Sequence, residues 1–276
     1  MFVARPLYRT LSDDDAVNYR ERLYQHYVST HFASLREIAP EALEKQRVFF
    51  RAYFGRFLPA DHNARILDLG CGYGAFLYFL QKAGYLNVWG VDISPEQVEA
   101  AQRLGISNVY CEDLMVFLPK HKEAFDCITA LDVVEHFRKE EILTLLDAVY
   151  QALKPGGIFI MQSPNADGPF GAHYRYYDFT HEIAFTKTSI TQVLATVGFR
   201  NIRVYPAGPI VHGVASAARW VMWQIIRFLL TVYLVAETGE LGGHILTQNL
   251  IAVAHKPHLL CENSHGPDAR YGGQLE

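Results

Sequence analysis

The sequence is poor in cysteine and has no long run of either charge. Its four cysteines, at positions 71, 111, 127 and 261 of 276 residues, form no CxxC pair, so they fit buried, reduced thiols better than a disulfide framework. The formal net charge is −4, from 25 Lys+Arg against 29 Asp+Glu, and no basic run could follow a phosphate backbone. Nucleic acid is therefore not an expected partner.

The amino terminus also lacks the apolar stretch of a secretory signal. Residues 1–6 are mixed in character, and three aspartates follow at 13–15. Together with the reduced cysteines, this favours a cytoplasmic protein.

The chain has the length and composition of one large α/β domain with appendages, since 50% of its 276 residues are hydrophobic. From Arg65 onward, strand and helix patterns alternate, which predicts a doubly wound parallel sheet. The strands are expected near 65–69, 87–92, 107–111, 125–131, 157–163, 201–205 and 248–254.

Two aromatic-rich helical patterns, at 13–32 and 40–57, precede the sheet. We therefore assign 1–60 to an N-terminal helical cap or lid and 61–256 to the main domain. Residues 257–276, which are rich in glycine and proline, are predicted to be a flexible tail.

A buried strand runs directly into a glycine turn at 66–74, and Asp92 ends the next strand. Glycines at 70, 72 and 74 let a ligand approach the amides of the following helix, and an acid about 20 residues on can accept both hydroxyls of a ribose. The same spacing also satisfies a dinucleotide fingerprint that ends at Ala75. Asp68 favours a different nucleoside, because a carboxylate at this point repels a pyrophosphate and attracts an ammonium group or an ordered water.

The block from Asp68 to Gly74 closely resembles the first motif of class I S-adenosylmethionine-dependent methyltransferases, and the later motifs follow in that family's order. The resemblance implies S-adenosylmethionine as cofactor and a seven-stranded, mostly parallel, Rossmann-like sheet whose last strand is antiparallel. It implies that Asp113 binds the adenine amine, for which the alternative is the N-cap of a helix over 114–118. Ile93 would pack on adenine or, alternatively, in the core. The residues expected to hold the cofactor are Asp68, Gly70, Cys71, Gly72, Gly74, Asp92, Ile93, Asp113, Leu114 and Leu131.

Ionisable residues follow the fourth strand. In a short helix, Asp132, Glu135 and His136 share one face, because they are related by i, i+3 and i+4. The block resembles the Glu-Val-x-Glu-His element of ubiquinone-pathway O-methyltransferases, with aspartate in place of the first glutamate; there, the two acids and the histidine are associated with a divalent cation. The resemblance makes these three residues a candidate Mg²⁺ site. Alternatively, Glu135 anchors a loop and His136 is a general base.

The turn-rich segment 163–182 carries many hydrogen-bonding and aromatic groups and is predicted to form a wall of the substrate site. Its Thr180-His181 pair is similar to a Thr-His pair of the same O-methyltransferases, whose histidine reaches the site. We expect His136 and His181, and then His173, to act as the base or to orient the acceptor. Aromatic rings that are candidates to contact a sulfonium are Tyr24, Tyr27, Tyr73, Tyr174 and Phe179.

An apolar helical insert is predicted at 212–238, before the last strand. Its most apolar part, 214–236, contains Arg219 and Arg227 and is followed by a sheet strand, so it is not expected to cross a bilayer. Three arrangements stay open: packing on the domain's own substrate pocket, a homodimer face, or peripheral contact with the inner face of a membrane. The segments that flank the insert resemble methyltransferases of bacterial surface-polysaccharide pathways.

Together these features predict a methyltransferase that moves the methyl group of S-adenosylmethionine to a hydroxyl of a small molecule or glycan, in surface-polysaccharide or natural-product biosynthesis. Methylation of an amino sugar or another small amine on nitrogen is the alternative. A noncatalytic cofactor-binding or membrane-docking subunit is a remote alternative.

Overall fold

The fold is built on one seven-stranded sheet. The computed structural model describes residues 23–24, 40–240 and 242–258. The strands lie in the order β3-β2-β1-β4-β5-β7-β6, and β7 is antiparallel to both neighbours while the other paired strands are parallel. This confirms the predicted doubly wound α/β sheet. The strands are β1 (Arg65–Leu69), β2 (Asn87–Asp92), β3 (Val109–Cys111), β4 (Phe125–Leu131), β5 (Leu153–Pro164), β6 (Arg200–Ala207) and β7 (Asn249–His255).

Helices connect the strands and cover both faces of the sheet. They are α1 (Pro40–Phe54), α2 (Ala75–Lys82), α3 (Pro95–Arg103), α4 (Leu114–Phe117), α5 (Lys139–Ala152), α6 (Gly171–Tyr177), α7 (Lys187–Val197) and α8 (Val214–Thr238). Short 3-10 turns occur at Gly55–Phe57, Leu118–Lys120 and Val134–His136.

The hydrophobic core lies on both faces of the sheet because successive strand residues point to opposite sides. Ile66 of β1 packs with side chains of α1, α2 and α3, whereas its neighbour Leu67 packs with those of α5 and α7. Both residues are fully buried. A strand buried on both faces is typical of a parallel sheet covered by helices.

Helix α1 packs on α2 through aromatic rings. The ring centroid of Phe76 lies 5.2 Å from that of Phe50 and 5.5 Å from that of Phe54. The aromatic residues in this part of the predicted cap are therefore packing residues. The helix predicted at 13–32 lies outside the described residues apart from positions 23 and 24, and the division of the chain near residue 60 stays a prediction.

The strand order fixes where a ligand binds. β1 lies between β2 and β4, so the chain continues from β1 towards one side of the sheet through β2 and β3, and then towards the other side through β4 and β5. Such a reversal opens a crevice at the carboxyl ends of the strands. The glycine turn after β1 and the ionisable residues after β4 both lie at this edge.

Three local predictions were wrong. β5 begins at Leu153, because Leu153 pairs with Phe125 across a register shift and Gly156, with φ of 81°, lies inside the strand. The helix expected over 132–136 is only the 3-10 turn Val134–His136, since Asp132 has φ of 56° and leaves the right-handed helical region. Cys111 is exposed because β3 is an edge strand.

The apolar insert forms α8, as predicted, but it does not pack on the substrate pocket. None of its residues lines the large cavity at the carboxyl edge, and Ser216 is the one buried residue of the helix. The insert therefore leaves most of its apolar side chains exposed.

Gly90 in β2 provides a test of the packing behind the glycine turn. A Cβ atom there would lie 2.5 Å from Leu77 Cδ1 and 2.7 Å from Cys71 Sγ, both in the core. Gly90→Ala is expected to lower the free energy of unfolding by about 1–3 kcal/mol, measured by urea denaturation. Gly213→Ala is the control, since its backbone is extended and, among the described residues beyond its chain neighbours, no atom lies within 4 Å of the added Cβ. Equal stability of the two variants would show that this packing is looser than described.

Candidate active site

A cavity of about 1300 Å³ opens at the carboxyl edge of the sheet. Its wall is formed by the segments that follow β1, β2, β3 and β4, together with residues of the 163–182 segment and Tyr24. Of the residues predicted to hold the cofactor, all but Asp68 and Gly74 line it: Gly70, Cys71, Gly72, Asp92, Ile93, Asp113, Leu114 and Leu131.

The glycine turn has a backbone conformation that residues with a side chain rarely adopt. Gly70 has φ of 60°, and a Cβ atom there would lie 2.6 Å from Val133 Cγ2. Gly72 has φ of 53°, in the left-handed region that favours glycine. Gly74 is instead the N-cap of α2, where it packs on Ile106, so its role is to position the helix.

Asp92 ties this turn to β2. Its Oδ2 accepts a hydrogen bond from the amide of Gly72 at 2.8 Å, and its Oδ1 accepts one from the amide of Ser94 at 2.8 Å. Burial raises the pKa of Asp92, and the two amides oppose that rise. Each carboxylate oxygen retains a further lone pair, so Asp92 can accept the hydroxyls of a ribose while it holds the turn.

Asp68 lies beneath the cavity wall and does not line it. The side chain is 3% exposed, and its Oδ1 accepts a hydrogen bond from Thr129 Oγ1 at 2.6 Å. Burial raises the pKa of Asp68 to about 7, against the effect of Thr129 and with a smaller contribution from Asp92. The residue expected to meet an ammonium group is therefore a buried, hydrogen-bonded acid behind the turn.

The far wall combines an acid with an apolar surface. The amide of Met115 donates to Asp113 Oδ1 at 2.7 Å, so Asp113 is the N-cap of α4, the alternative that the sequence offered. Asp113 also lines the cavity. Ile93 is 48% exposed and is thus cavity lining and not core. An acid beside an exposed aliphatic surface fits the amine and the face of an adenine ring.

The charge of the lining separates the two nucleoside classes that the glycine spacing allows. Among the described residues that line the cavity, seven are acidic and none is lysine or arginine. The acids among them that are ionised would repel a pyrophosphate and attract a ligand with a sulfonium and an ammonium. The acidic residues are Asp92, Asp113, Asp132, Glu135, Glu140, Glu141 and Asp178.

A hydrogen-bond chain leads into the cavity at His136. Thr180 Oγ1 donates to Asp178 Oδ1 at 2.7 Å, which uses its one proton, and it lies 2.8 Å from His136 Nδ1. Thr180 therefore accepts from Nδ1–H of His136. In the neutral ring, the lone pair is then on Nε2, and His136 lines the cavity as a proton acceptor.

Burial is the largest cause that lowers the pKa of His136, and the neighbouring His181 acts in the same direction; Asp178 and the backbone near Thr180 and Asp132 oppose them, and the resulting pKa is about 4. The imidazole is thus neutral at physiological pH.

His181 completes this side of the cavity. Its ring centroid lies 4.7 Å from that of His136, and its Nδ1 donates to the carbonyl oxygen of Tyr174 at 3.1 Å, which leaves Nε2 as an acceptor. His173 is placed elsewhere: it is exposed on α6, its ring lies 5.1 Å from that of Tyr174, and it does not line the cavity.

The potential metal ligands differ from those that the sequence grouped. Ligand atoms of Glu135, His136 and His181 lie within 4.8 Å of one another, and Asp132 is not part of this trio because its carboxylate accepts from Gln162 Nε2. Glu135 is fully buried, and within the described part of the chain neither of its carboxyl oxygens has a hydrogen-bond partner. Burial raises its pKa well above the ordinary value. Two nitrogens and one oxygen fit Mn²⁺, Fe²⁺ or Zn²⁺ better than Mg²⁺, which prefers oxygen ligands.

Aromatic residues close the cavity. Tyr24, Tyr73 and Tyr174 line it, and the ring of Tyr24 lies 6.5 Å from that of His136. Phe179 is 81% exposed and points away from the lining, whereas Tyr27 lies outside the described residues.

Sequence reasoning missed Asp178 and Thr129. Asp178 accepts from the amide of Thr180 at 2.8 Å, and this two-residue spacing of an Asx turn is a signal that the sequence does contain. Thr129 lies in the middle of β4, and no local pattern connects it with Asp68.

Comparison with known proteins agrees with this geometry. Residues 35–204, more than half of the chain, match a family described as a methyltransferase domain. The chain belongs to this family. Its fold and motifs are those of the class I S-adenosylmethionine-dependent methyltransferases, and S-adenosylmethionine is the cofactor of that class, as predicted.

Curated relatives match over part of their length. The methyltransferase is 31% identical over 141 residues to the ubiquinone biosynthesis O-methyltransferase of Chelativorans sp. (strain BNC1), covering 49% of this chain and 54% of the relative. It is 32% identical over 104 residues to the cyclopropane-fatty-acyl-phospholipid synthase of Escherichia coli (strain K12), covering 36% of this chain and 26% of that enzyme. The chain thus spans about a quarter to a half of the curated relatives it matches.

Solved structures share the fold. A SAM-dependent methyltransferase from Archaeoglobus fulgidus superposes with a TM-score of 0.58 at 22% identity, covering 78% of this chain and 94% of that one. Haemonchus contortus phosphoethanolamine N-methyltransferase 2, in complex with S-adenosyl-L-methionine, superposes with a TM-score of 0.55 at 17% identity and covers 85% of this chain and 60% of that one. At these identities, the likeness concerns the fold alone.

Asp68→Asn is expected to raise the free energy of unfolding of the cofactor-free protein at both pH 5 and pH 8. The rise should be larger at pH 8, and the two rises should differ by roughly 3 kcal/mol. The folded-state pKa of about 7 lies above the ordinary value of 3.8, so the wild type loses stability as the pH rises through this window. Asparagine still accepts from Thr129 and cannot ionise. Urea unfolding at both pH values measures the difference.

Asp147→Asn, at an exposed position on α5, is the control and should change the stability little at either pH. If the difference in the free energy of unfolding between Asp68→Asn and the wild type is the same at both pH values, then burial does not perturb the ionisation of Asp68.

Proposed function

We propose that this methyltransferase transfers a methyl group from S-adenosylmethionine to a hydroxyl of a small molecule or glycan. The observation that carries the proposal is the hydrogen-bond chain from Asp178 through Thr180 to His136 in the cavity wall. The chain fixes a neutral imidazole whose Nε2 can accept a proton. A hydroxyl acceptor needs such a base, because its proton must leave as the oxygen is methylated.

Each side chain has a definite part in the reaction. When bound, S-adenosylmethionine supplies a methyl group activated by a positively charged sulfur. His136 accepts the hydroxyl proton at Nε2, while Thr180 and Asp178 hold its Nδ1–H. The acceptor proton becomes strongly acidic as positive charge develops on the hydroxyl oxygen, so a base of low pKa is sufficient. Tyr24 and Tyr174 line the same cavity.

The acidic lining also limits the acceptor. With seven acidic residues and no lysine or arginine in the described lining, the cavity favours an acceptor whose methylated part is uncharged or cationic and disfavours a phosphate or carboxylate. A sugar hydroxyl or a phenol meets this condition. The relatives named as ubiquinone biosynthesis O-methyltransferases support oxygen as the methylated atom.

The same acidic lining favours a second candidate, methylation of a small amine on nitrogen, because it would attract a protonated amine.

A panel of neutral sugars, phenols and amines, incubated with isotope-labelled S-adenosylmethionine, distinguishes the two. We expect label on oxygen, at equal rates with and without EDTA, because the base step uses Nε2 of His136 without a cation. Label found only on nitrogen would reject the hydroxyl proposal.

Thr180→Val is expected to lower kcat for a hydroxyl acceptor by about 10²- to 10³-fold, because the acceptor for His136 Nδ1–H is lost. The affinity for S-adenosylmethionine should change little, since Thr180 does not line the cavity. Thr180→Ser keeps the hydroxyl and should restore most of the rate, which distinguishes loss of the hydrogen bond from a packing defect. Steady-state kinetics of the three proteins give the result, and wild-type turnover by Thr180→Val would remove His136 from the base role.

A further inference from the structure

Helix α8 presents an apolar face to the outside of the domain. Most side chains of this face are more than half exposed, with Met222 at 63% and Phe228 at 67%. We define the outer face by its eight exposed residues: Val221, Met222, Ile225, Ile226, Phe228, Leu229, Val232 and Tyr233. At about 100° per residue, these positions span roughly 160° of the helix circumference.

The opposite side of α8 rests on the domain. Trp223, Leu230 and Leu234 are less exposed than the outer face, and the indole Nε1 of Trp223 lies 3.7 Å from the position of a Cβ atom at Gly208. Leu234 lines a small cavity together with Asp167 and Lys187. Both halves of the helix therefore contact the domain surface.

The short connections of α8 to the sheet oppose its crossing a bilayer, although its 25 residues are long and apolar enough to do so. The chain enters the insert after Ala207 and returns at Asn249, which are register partners at one edge of the sheet. Ile245 is already buried in the domain, and Asn165 Nδ2 donates to its carbonyl oxygen. Seven residues from Thr238 to Ile245 extend over roughly 24 Å, less than the ~30 Å hydrocarbon core.

The helix emerges beside the cavity. Asn249, at the start of β7, pairs with Pro164 at the end of β5, and both residues line the cavity. The insert that contains α8 thus joins the sheet at the edge at which the cavity opens.

We propose that the outer face of α8 binds the surface of an anionic lipid bilayer, with the helix lying in the plane of the membrane. The only charged residues between 214 and 236 are Arg219 and Arg227, and no acidic residue occurs there. Arg219 is exposed at the margin of the outer face, where a guanidinium meets lipid phosphates. Tyr233, at 61% exposure, has the amphipathic ring that is common at membrane interfaces.

A second copy of the chain fits this face less well. Pairing of two helices covers a narrow seam, so it would leave much of a roughly 160° apolar arc in water, whereas a bilayer covers the whole arc. Pairing would also bring arginines together without an acidic residue of the segment to neutralise them. The proposal does not depend on which acceptor is methylated.

Cosedimentation of the full chain with vesicles tests the proposal without methyl transfer. The wild type is expected to bind vesicles of mixed phosphatidylcholine and phosphatidylglycerol, and to bind vesicles of phosphatidylcholine alone more weakly. Phe228→Ser should lower the partition coefficient about tenfold or more, because an aromatic ring no longer enters the interface. Arg219→Gln should lower it about fivefold on the anionic vesicles only.

Leu86→Ser is the matched control, because Leu86 is 72% exposed but precedes β2 at the opposite edge of the sheet. It should bind vesicles as the wild type does. Val232→Ser replaces Phe228→Ser if that variant does not fold. The proposal is overturned if the wild type does not bind the vesicles. It is also overturned if the outer-face variant, Phe228→Ser or Val232→Ser, binds them as strongly as the wild type. Analytical ultracentrifugation that finds a dimer broken by Phe228→Ser while vesicle binding is unchanged would overturn it as well.

Discussion

The site depends on one carboxylate that holds two backbone amides. Asp92 accepts from the amides of Gly72 and Ser94, and so joins the turn after β1 to the turn after β2. Parallel strands bring these turns to the same edge of the sheet, where the amide of Cys71 donates to the carbonyl oxygen of Val91, and the Asp92 bridge adds two bonds that fix the amides facing the cavity. The wall of the cavity is built on this bridge, because the glycines leave the amides uncovered and Ile93 follows Asp92 into the lining. The same residue remains able to accept ribose hydroxyls.

Charge gives the cavity its selectivity. Acids line it on several sides, Asp68 lies buried behind the turn, and no lysine or arginine belongs to the described lining. This arrangement suits a cofactor with a sulfonium and an ammonium and opposes linked phosphates. On the acceptor side, burial keeps His136 neutral, and the bonds through Thr180 to Asp178 set its tautomer. The residues predicted to hold the cofactor and the proposed base His136 therefore line a single cavity, as an in-line transfer requires.

Local patterns in the sequence predicted the sheet, and together with the family resemblance they predicted many of the residues that line the cavity. Strands such as β1 and β4 are mostly apolar and lead into glycine or acidic residues, and the order of the motifs identified Asp92 and Asp113. Contacts between distant segments were harder to predict. Thr180 meets His136 from 44 residues away, so no local period could identify this pair. The three residues after β4 were grouped on a helix that the positive φ of Asp132 prevents, and His181 takes the place expected for Asp132. The burial of Asp68 depends on Thr129 of a neighbouring strand, which a single-strand pattern does not contain.

The central claim is that the cofactor lies between Asp92 and the His136 side of one cavity. A crystal structure of the protein with S-adenosylhomocysteine bound tests it most directly. The account predicts that the ribose hydroxyls bind Asp92, that adenine lies against Ile93 near Asp113, and that the sulfur faces His136 and His181. A sulfur atom directed away from both histidines, or a nucleoside bound outside this cavity, would contradict the account.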